Sequence, residues 1–267
     1  MKRVLLVFLI CLLGACSINA PRIDHAYSAL SQGSRVRFIV IHYTVDDLPD
    51  SIKSLTGFDV SSHYLLSDTQ PPFFYQLVDE SRQASHAGLS SWKGYTYLNS
   101  NSIGIEIVNP GYTESPAGRI WHPYAPAQIE QLIALLKQIV ARHHIRPENI
   151  LGHSDIAPQR KQDPGPLFPW QQLAAAGLIT WPNAGDVARA RSGFEQQLPS
   201  VSWFQQKLAQ HGFLVPQNGE LDDATRNVVA AFQMKYRQTK FDGELDAETA
   251  ALLEVLITKA EAGLSTR

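Results

Sequence analysis

A histidine, a lysine and an aspartate fall within one short stretch, Leu151 to Asp163, read LGHSDIAPQRKQD. His153 offers an imidazole, Asp163 a carboxylate, and Lys161 a cation one residue away from that carboxylate. Pro158 lies inside the run and Pro164-Gly165-Pro166 follow it, so the stretch reads as a loop and not as a helix. A loop can bring His153 and Asp163 to one point. An imidazole and a carboxylate are two of the three protein ligands of an open catalytic zinc site, whose remaining position holds water or substrate. The candidate for the third is His42, at the end of the apolar run Phe38-Ile39-Val40-Ile41, because a strand end is a rigid mount for a ligand. Glu106 would be the base that takes a proton from water beside the metal. Lys161 would steady the oxyanion formed when water adds to a carbonyl. The spacing His-x9-Asp with a distant histidine is by itself a weak signal.

The elements that must position these groups can be read from periodicity. Arg35 to Tyr43 is an expected strand, apolar enough to be buried on both faces. Asp50 to Thr56 is an expected short helix; Ser62 to Ser67 and Phe74 to Asp79 are expected strands. Ser102 to Asn109, read SIGIEIVN, alternates so that Gly104 and Glu106 share one face and Ile103, Ile105 and Ile107 the other. Ile129, Leu132, Ile133, Leu136, Ile139 and Val140 recur at helical spacing, which predicts a helix over Pro126 to His143. Ile150-Leu151-Gly152 reads as a short strand leading into the central loop, and Trp170 to Leu178 as a helix. The expected fold is α/β (α+β): a mixed central β-sheet flanked by helices, over residues 35–182.

Beyond it the pattern is helical. Residues 183–199 read as a linker or lead-in helix, and 200–258 as a small three-helix unit with 259–267 as a tail. Asn218-Gly-Glu-Leu-Asp-Asp-Ala-Thr225 and Asp242-Gly-Glu-Leu-Asp-Ala-Glu-Thr249 repeat each other. Each is a glycine turn followed by an aspartate placed to cap a helix, Asp222 or Asp223 in the first and Asp246 in the second. A unit of roughly 60 residues is small for independent stability but feasible. Its aromatic side chains are expected in its core.

Several segments in their order resemble a known family. They are Phe38-Ile-Val-Ile-His42-Tyr43-Thr44, Ser61-Ser-His63-Tyr64, His86-Ala87-Gly88, Asn101-Ser-Ile-Gly-Ile-Glu106-Ile, and Gly152-His153-Ser-Asp-Ile-Ala-Pro-x-Arg160-Lys161-x-Asp163-Pro164-Gly165. Together they look like the zinc N-acetylmuramoyl-L-alanine amidases of the AmpD and phage T7 lysozyme type. The resemblance implies one Zn2+ per chain held by His42, His153 and Asp163, with Glu106 and Lys161 catalytic. It implies hydrolysis of the amide joining N-acetylmuramic acid, ordinary or 1,6-anhydro, to L-alanine of the stem peptide. The phage branch has a cysteine as third ligand and a tyrosine on the middle strand, where this chain has Asp163 and Ser62. The aspartate matches the AmpD branch, and the missing tyrosine leaves the base role to Glu106. The C-terminal unit, with Phe204-Gln205 and Phe232-Gln233, resembles peptidoglycan-binding domain 1. Two alternatives stay open: a non-catalytic peptidoglycan-recognition protein, or a zinc peptidase cutting within the stem peptide.

The other candidates are weaker. Tyr43 and Thr44 directly follow a ligand and are expected to line the substrate cleft, and His86, in a Ser-His-Ala-Gly loop, is expected to touch substrate. His63 reads as a packing group. His143 and His144 read as cations at a helix C-terminus, His122 and His211 as surface residues, and Asp155 as a loop cap.

Composition narrows the partners. The chain has 267 residues, 44% of them hydrophobic and 18% charged, with net charge −2. That is ordinary globular material with no electrostatic case for binding nucleic acid. Nothing in the pattern signals an oligomer, so a monomer is expected. Lys2 and Arg3 precede the apolar run Val4 to Leu13, which suits a signal peptide over residues 1–15. Leu13-Gly14-Ala15-Cys16 resembles a bacterial lipobox, implying cleavage before Cys16, lipidation of its thiol, and a tether over 16–34. Ser17 in place of the aspartate that marks inner-membrane retention implies a periplasm-facing anchor in the outer membrane. The alternative is an ordinary signal peptide with an incidental cysteine. With Cys11 removed, no intramolecular disulfide can form.

Overall fold

The computed structural model describes residues 21–265. The expected signal peptide and Cys16 lie outside the described residues. Residues 21–33 contain no helix or strand and belong to a unit of their own; a second, compact unit begins at Ser34.

In chain order the compact unit comprises β1 (Phe38–Tyr43), α1 (Leu48–Leu55), β2 (Tyr64–Leu66) and β3 (Phe74–Gln76). The short hairpin β4 (Ser91–Trp92) and β5 (Tyr95–Thr96) precedes β6 (Ser102–Ile107). A second hairpin, β7 (Tyr112–Ser115) and β8 (Gly118–Trp121), leads to the long helix α2 (Pro126–His143). Then come β9 (Ile150–Gly152), the single turn α3 (His153–Ile156) and α4 (Trp170–Ala175). Four helices complete the described chain: α5 (Ala184–Gln196), α6 (Val201–His211), α7 (Asp223–Tyr236) and α8 (Ala247–Ser265).

The main sheet has the order β3-β2-β6-β1-β9, parallel except for the antiparallel edge strand β3. Parallel strands are covered on both faces, and β1 is apolar throughout for that reason. Ile39 and Ile41 join Ile103, Ile105 and Ile107 of β6 against Ile129, Leu132, Leu136 and Ile139 of α2. The N-terminal residue of α2 is preceded by Ala125, which has no side-chain cap; only Gln128 Oε1 accepts from the Ala125 N–H. A missing cap is worth about 1 kcal/mol, whereas each buried leucine or isoleucine contributes roughly 1.5–3 kcal/mol. The apolar stripe therefore places this helix, and it begins and ends where the spacing predicts.

Phe38 and Val40 face the other way, and there the structure departs from a simple two-part arrangement. They share one continuous core with Trp92, Leu98, Leu151 and Ile156 and with Phe204, Leu208, Val228, Phe232 and Leu253 of the helical unit. The helical unit is thus fused to the face of the sheet opposite α2, and the core that sequence spacing assigned to it alone is a common one. Residues 184–196 are helical, capped by Asn183 on the Gly185 and Asp186 N–H groups. His211, expected on the surface, is packed among Trp92, Phe213, Phe232 and Tyr236. Burial pushes its pKa down to about 3.

The internal repeat has a structural cause. Asp222 accepts from the Thr225 N–H, and Asp246 from the Thr249 N–H. The buried amides of Gln205 and Gln233 do equivalent work ahead of each cap. Each accepts the turn glycine's N–H, from Gly219 and Gly243 respectively, and donates to the hydroxyl of Thr225 or Thr249. Both glycines have positive φ, which suits a residue without a Cβ.

At the far end of α2, Glu80 gathers Arg142, His143 and the Tyr64 hydroxyl. Burial alone would raise the Glu80 pKa, but these donors outweigh it and hold the pKa at about 2. The folded value is below the unfolded one, so Glu80 stabilises the fold above its ordinary pKa of 4.5. That contribution is lost as pH falls from there toward 2. Glu80→Gln is expected to flatten the loss of stability over that interval, read by denaturant midpoints at fixed pH. An unchanged acid slope would refute this account.

Candidate metal centre

The site follows from strand register. β6, β1 and β9 are parallel neighbours, with His42 paired to Glu106 and Ile41 to Gly152. His153 follows Gly152 as His42 follows Ile41. The carboxyl ends of three adjacent strands therefore carry Glu106, His42 and His153 at one level, where ligands of open parallel sheets bind. After His153 the chain makes one helical turn, which the reading of Leu151–Asp163 as a loop does not anticipate. Pro158 forbids helix through Ala157 but leaves room for the turn before it, and Ala157 leaves helical geometry at φ −144°. The Asp155 carboxylate caps that turn through the Gly152 N–H at 2.8 Å. The Ser154 N–H donates to the Asp163 carbonyl at 2.9 Å, which folds the stretch back on itself.

As a result Asp163 Oδ2 lies 2.9 Å from His42 Nδ1 and 3.1 Å from His153 Nδ1, and the two nitrogens are 3.0 Å apart. All three residues are buried and could hold one metal ion. The hydrogen bonds behind them fix which nitrogens face it. The Ser102 hydroxyl has one proton and an acceptor at 2.6 Å, the Leu98 carbonyl. Its oxygen then accepts from His86 Nε2–H at 3.0 Å, and bare His86 Nδ1 accepts from His42 Nε2–H at 3.0 Å. His42 Nδ1 is left without a proton. His153 Nε2–H donates to the Ala87 carbonyl at 3.2 Å, so its Nδ1 is bare as well. Two nitrogen lone pairs and a carboxylate oxygen meet with no proton between them, an arrangement that suits a cation.

Electrostatics agree. Burial, then the neighbouring His153, lowers the His42 pKa to about 4 and keeps the imidazole in its ligating neutral form. Burial would raise the pKa of Asp163, but His153 and His42 prevail and hold it well below the usual carboxylate range. Glu106 shifts the opposite way, raised first by burial and then by Asp163. Its Oε1 lies 4.0 Å from His42 Nδ1, and its buried Oε2 has no hydrogen-bond partner.

A cleft of about 300 Å3 opens over these groups, lined by His42, Tyr43, Thr44, His86, Glu106, His153, Lys161 and Asp163, with Ser51 and Leu55 of α1 and Val60 on its walls. Lys161 is exposed. A Cβ on Gly111 would come within 2.9 Å of the Tyr43 ring. His86 lines the cleft too, but both its ring nitrogens are engaged inside the protein. Three participants were not assigned from the sequence: Ser102, Arg160 and Val45. Arg160 donates to the Ala87 and Leu89 carbonyls beside His153. Its place next to Lys161 was the available signal; Ser102 carried none. Val45 lines the cleft at φ 60°, a strained conformation for a β-branched residue.

The N-acetylmuramoyl-L-alanine amidase family model matches residues 32–166. E. coli N-acetylmuramoyl-L-alanine amidase AmiD is 45% identical over 244 residues, covering 89% of this chain and 88% of AmiD. The chain belongs to the N-acetylmuramoyl-L-alanine amidase family. Its reaction is hydrolysis of the amide between N-acetylmuramic acid and L-alanine of peptidoglycan fragments, and its site carries the buried His-His-Asp set of a metal centre. A solved structure of the E. coli amidase AmiD superposes with a TM-score of 0.81 at 44% identity, covering 89% of this chain and 94% of that one. AmpDh3 of Pseudomonas aeruginosa superposes with a TM-score of 0.84 at 36% identity, covering 91% of this chain and all of that one. The putative peptidoglycan binding domain model matches residues 197–253 of this amidase.

Gly104 permits the stack behind His42, since a Cβ there would lie 2.4 Å from His86 Cγ. Gly104→Ala is expected to displace that ring, and Ser102→Ala to free its tautomer. Each should weaken metal affinity about 10- to 100-fold, measured by competition of the folded chain with a chromophoric chelator for zinc. Wild-type affinity in both would refute the tautomer chain.

Proposed function

We propose that this amidase is a zinc hydrolase in which His42, His153 and Asp163 hold the ion, Glu106 is the general base and Lys161 stabilises the oxyanion. The observation that carries the assignment is the unpartnered, buried carboxylate oxygen of Glu106 beside three converging ligand atoms. Bound there, zinc would polarise the scissile carbonyl and lower the pKa of an attacking water toward neutrality. A divalent cation at that point also favours ionised Glu106, reversing the effect of burial. Glu106 takes the water proton and passes it to the departing amine of L-alanine. Lys161, at the open side of the cleft, offers its ammonium to the carbonyl oxygen as it gains charge. Tyr43 and Thr44 form wall against which substrate packs. His86 orients His42.

For substrate form, the E. coli AmiD structure was solved with anhydro-N-acetylmuramic acid-L-Ala-D-γ-Glu-L-Lys and AmpDh3 with an anhydromuramic pentapeptide. Those relatives support acceptance of the 1,6-anhydro sugar here. The residues 197–253 match supports wall binding by the helical unit. The lipobox-like Leu13 to Cys16 supports a lipid anchor on Cys16 facing the periplasm from the outer membrane, with residues 17–34 as tether.

Glu106→Ala should lower kcat by about 10²–10⁴-fold while about one zinc per chain remains. Lys161→Met should lower kcat by about 10²–10³-fold with a smaller effect on KM. Mass analysis of digested muropeptides must show intact stem peptide and free glycan; cleavage within the peptide would make the enzyme a peptidase, and zinc without hydrolysis a recognition protein. Full activity of the Glu106 variant would remove it from the mechanism.

Cys16→Ala is expected to abolish labelling by palmitate and to leave the apolar leader of residues 1–15 uncleaved, read by labelling and by the mass of the isolated protein. Palmitate labelling or normal cleavage in that variant would overturn the anchor.

A further inference from the structure

Lys235 is buried in the last turn of α7, within the helical unit. A buried ammonium is costly unless fully paired, so its partners show what it is for. Its Nζ donates to Asp155 Oδ2 at 2.7 Å and to the Ile150 carbonyl at 3.1 Å, and it lies 4.4 Å from the centre of the Trp170 ring. All three partners precede the helical unit in the chain. Ile150 begins β9, and Asp155 is the carboxylate that caps the turn starting at His153. The same Asp155 oxygen thus receives both the N–H of Gly152, the residue before His153, and the Lys235 ammonium.

The packing around Gly152, where the turn begins, leaves no slack. A Cβ on Gly152 would lie 2.6 Å from Pro164 Cδ and 3.3 Å from the Trp170 ring. Farther along the stretch, Gln159 donates to the Ala224 carbonyl of α7 at 2.9 Å and accepts from Asn227 of α7 at 3.0 Å. One helix of the C-terminal unit therefore grips the ligand-bearing stretch at two points, Asp155 and Gln159.

We propose that Lys235 is a positioning residue of the amidase: through Asp155 it sets the turn that aims His153 Nδ1, so the helical unit forms part of the metal site's support. The inference rests on the metal-site reading above. It makes the C-terminal unit inseparable from catalysis, whatever it binds.

The test uses the full chain and three variants, Lys235→Met, Asp155→Asn with Lys235→Met, and Leu253→Ala as a core-destabilised control in α8. Zinc affinity, kcat/KM, melting temperature and hydrogen exchange over residues 150–157 are measured on each. Lys235→Met should weaken zinc binding about 10- to 100-fold, lower kcat/KM, and speed exchange across the turn. The double variant should recover much of this, because a side-chain amide in place of the Asp155 carboxylate can still accept the Gly152 N–H and no unpaired charge is left. Leu253→Ala should lower the melting temperature and leave zinc affinity of the folded chain unchanged. Wild-type zinc affinity and exchange in Lys235→Met would overturn the proposal. So would an equal loss of zinc affinity in Leu253→Ala, which would make the effect one of general stability. A wild-type chain that takes up no zinc would overturn the metal reading and the proposal together, whereas failure of Lys235→Met alone leaves that reading standing.

Discussion

The parallel register of β6, β1 and β9 is the constraint on which the rest depends. Parallel pairing sets neighbouring strands ~4.8 Å apart, and here it aligns His42 with Glu106 and Ile41 with Gly152. A one-residue slip of β1 would turn His42 to the face occupied by Ile39, Ile41 and α2, and carry the isoleucines toward the cleft. The register is held by the alternation itself. Ile39, Ile41, Ile103, Ile105 and Ile107 must all meet α2, which leaves Val40, His42, Gly104 and Glu106 on the other face. The hydrophobic core on one side of the sheet thereby dictates the geometry of the polar site on the other.

On that polar side, hydrogen-bond direction sets what remains. A neutral imidazole can present either nitrogen, and His42 and His153 each need Nδ1 free. The Leu98 carbonyl at one end and the Ala87 carbonyl at the other are acceptors only, so each forces its neighbours to donate. The protons are thus directed outward from the ligand cluster along Ser102 and His86 on one branch and directly to backbone on the other. Gly104 belongs to the same device, because the His86 ring occupies the volume its side chain would need.

Much of this is legible in the sequence, for identifiable reasons. The apolar run before His42 marks a buried strand and therefore a rigid mount; the alternation of SIGIEIVN puts Glu106 opposite the isoleucines; the periodicity of α2 is strong enough to give its bounds. What escapes a sequence reading depends on long-range pairing. The His86–His42 contact spans 44 residues and Lys235–Asp155 spans 80, and no local pattern reports either. A histidine at a helix end reads as a surface residue, and only the fusion of α6 and α7 to Trp92 encloses His211. The turn at His153 is hidden because Pro158 bars helix only from the residue before it, while its presence makes the whole stretch look like loop.

The shared core also changes how the two halves of the chain relate. A wall-binding module joined by a flexible linker contributes local concentration and little else. Here Phe204, Phe232 and Leu253 bury the same cluster as Phe38, Val40 and Ile156, so the helical unit shares the core on the face of the sheet opposite α2. Val40 and Leu151 each lie two residues before a ligand, His42 and His153, and they are packed by this cluster. The helical unit is therefore packed directly against residues of the strands that carry the ligands. Binding to the wall through the helical unit would then act on a surface rigidly continuous with the metal site, which fixes the cleft's orientation to the glycan as well as its distance.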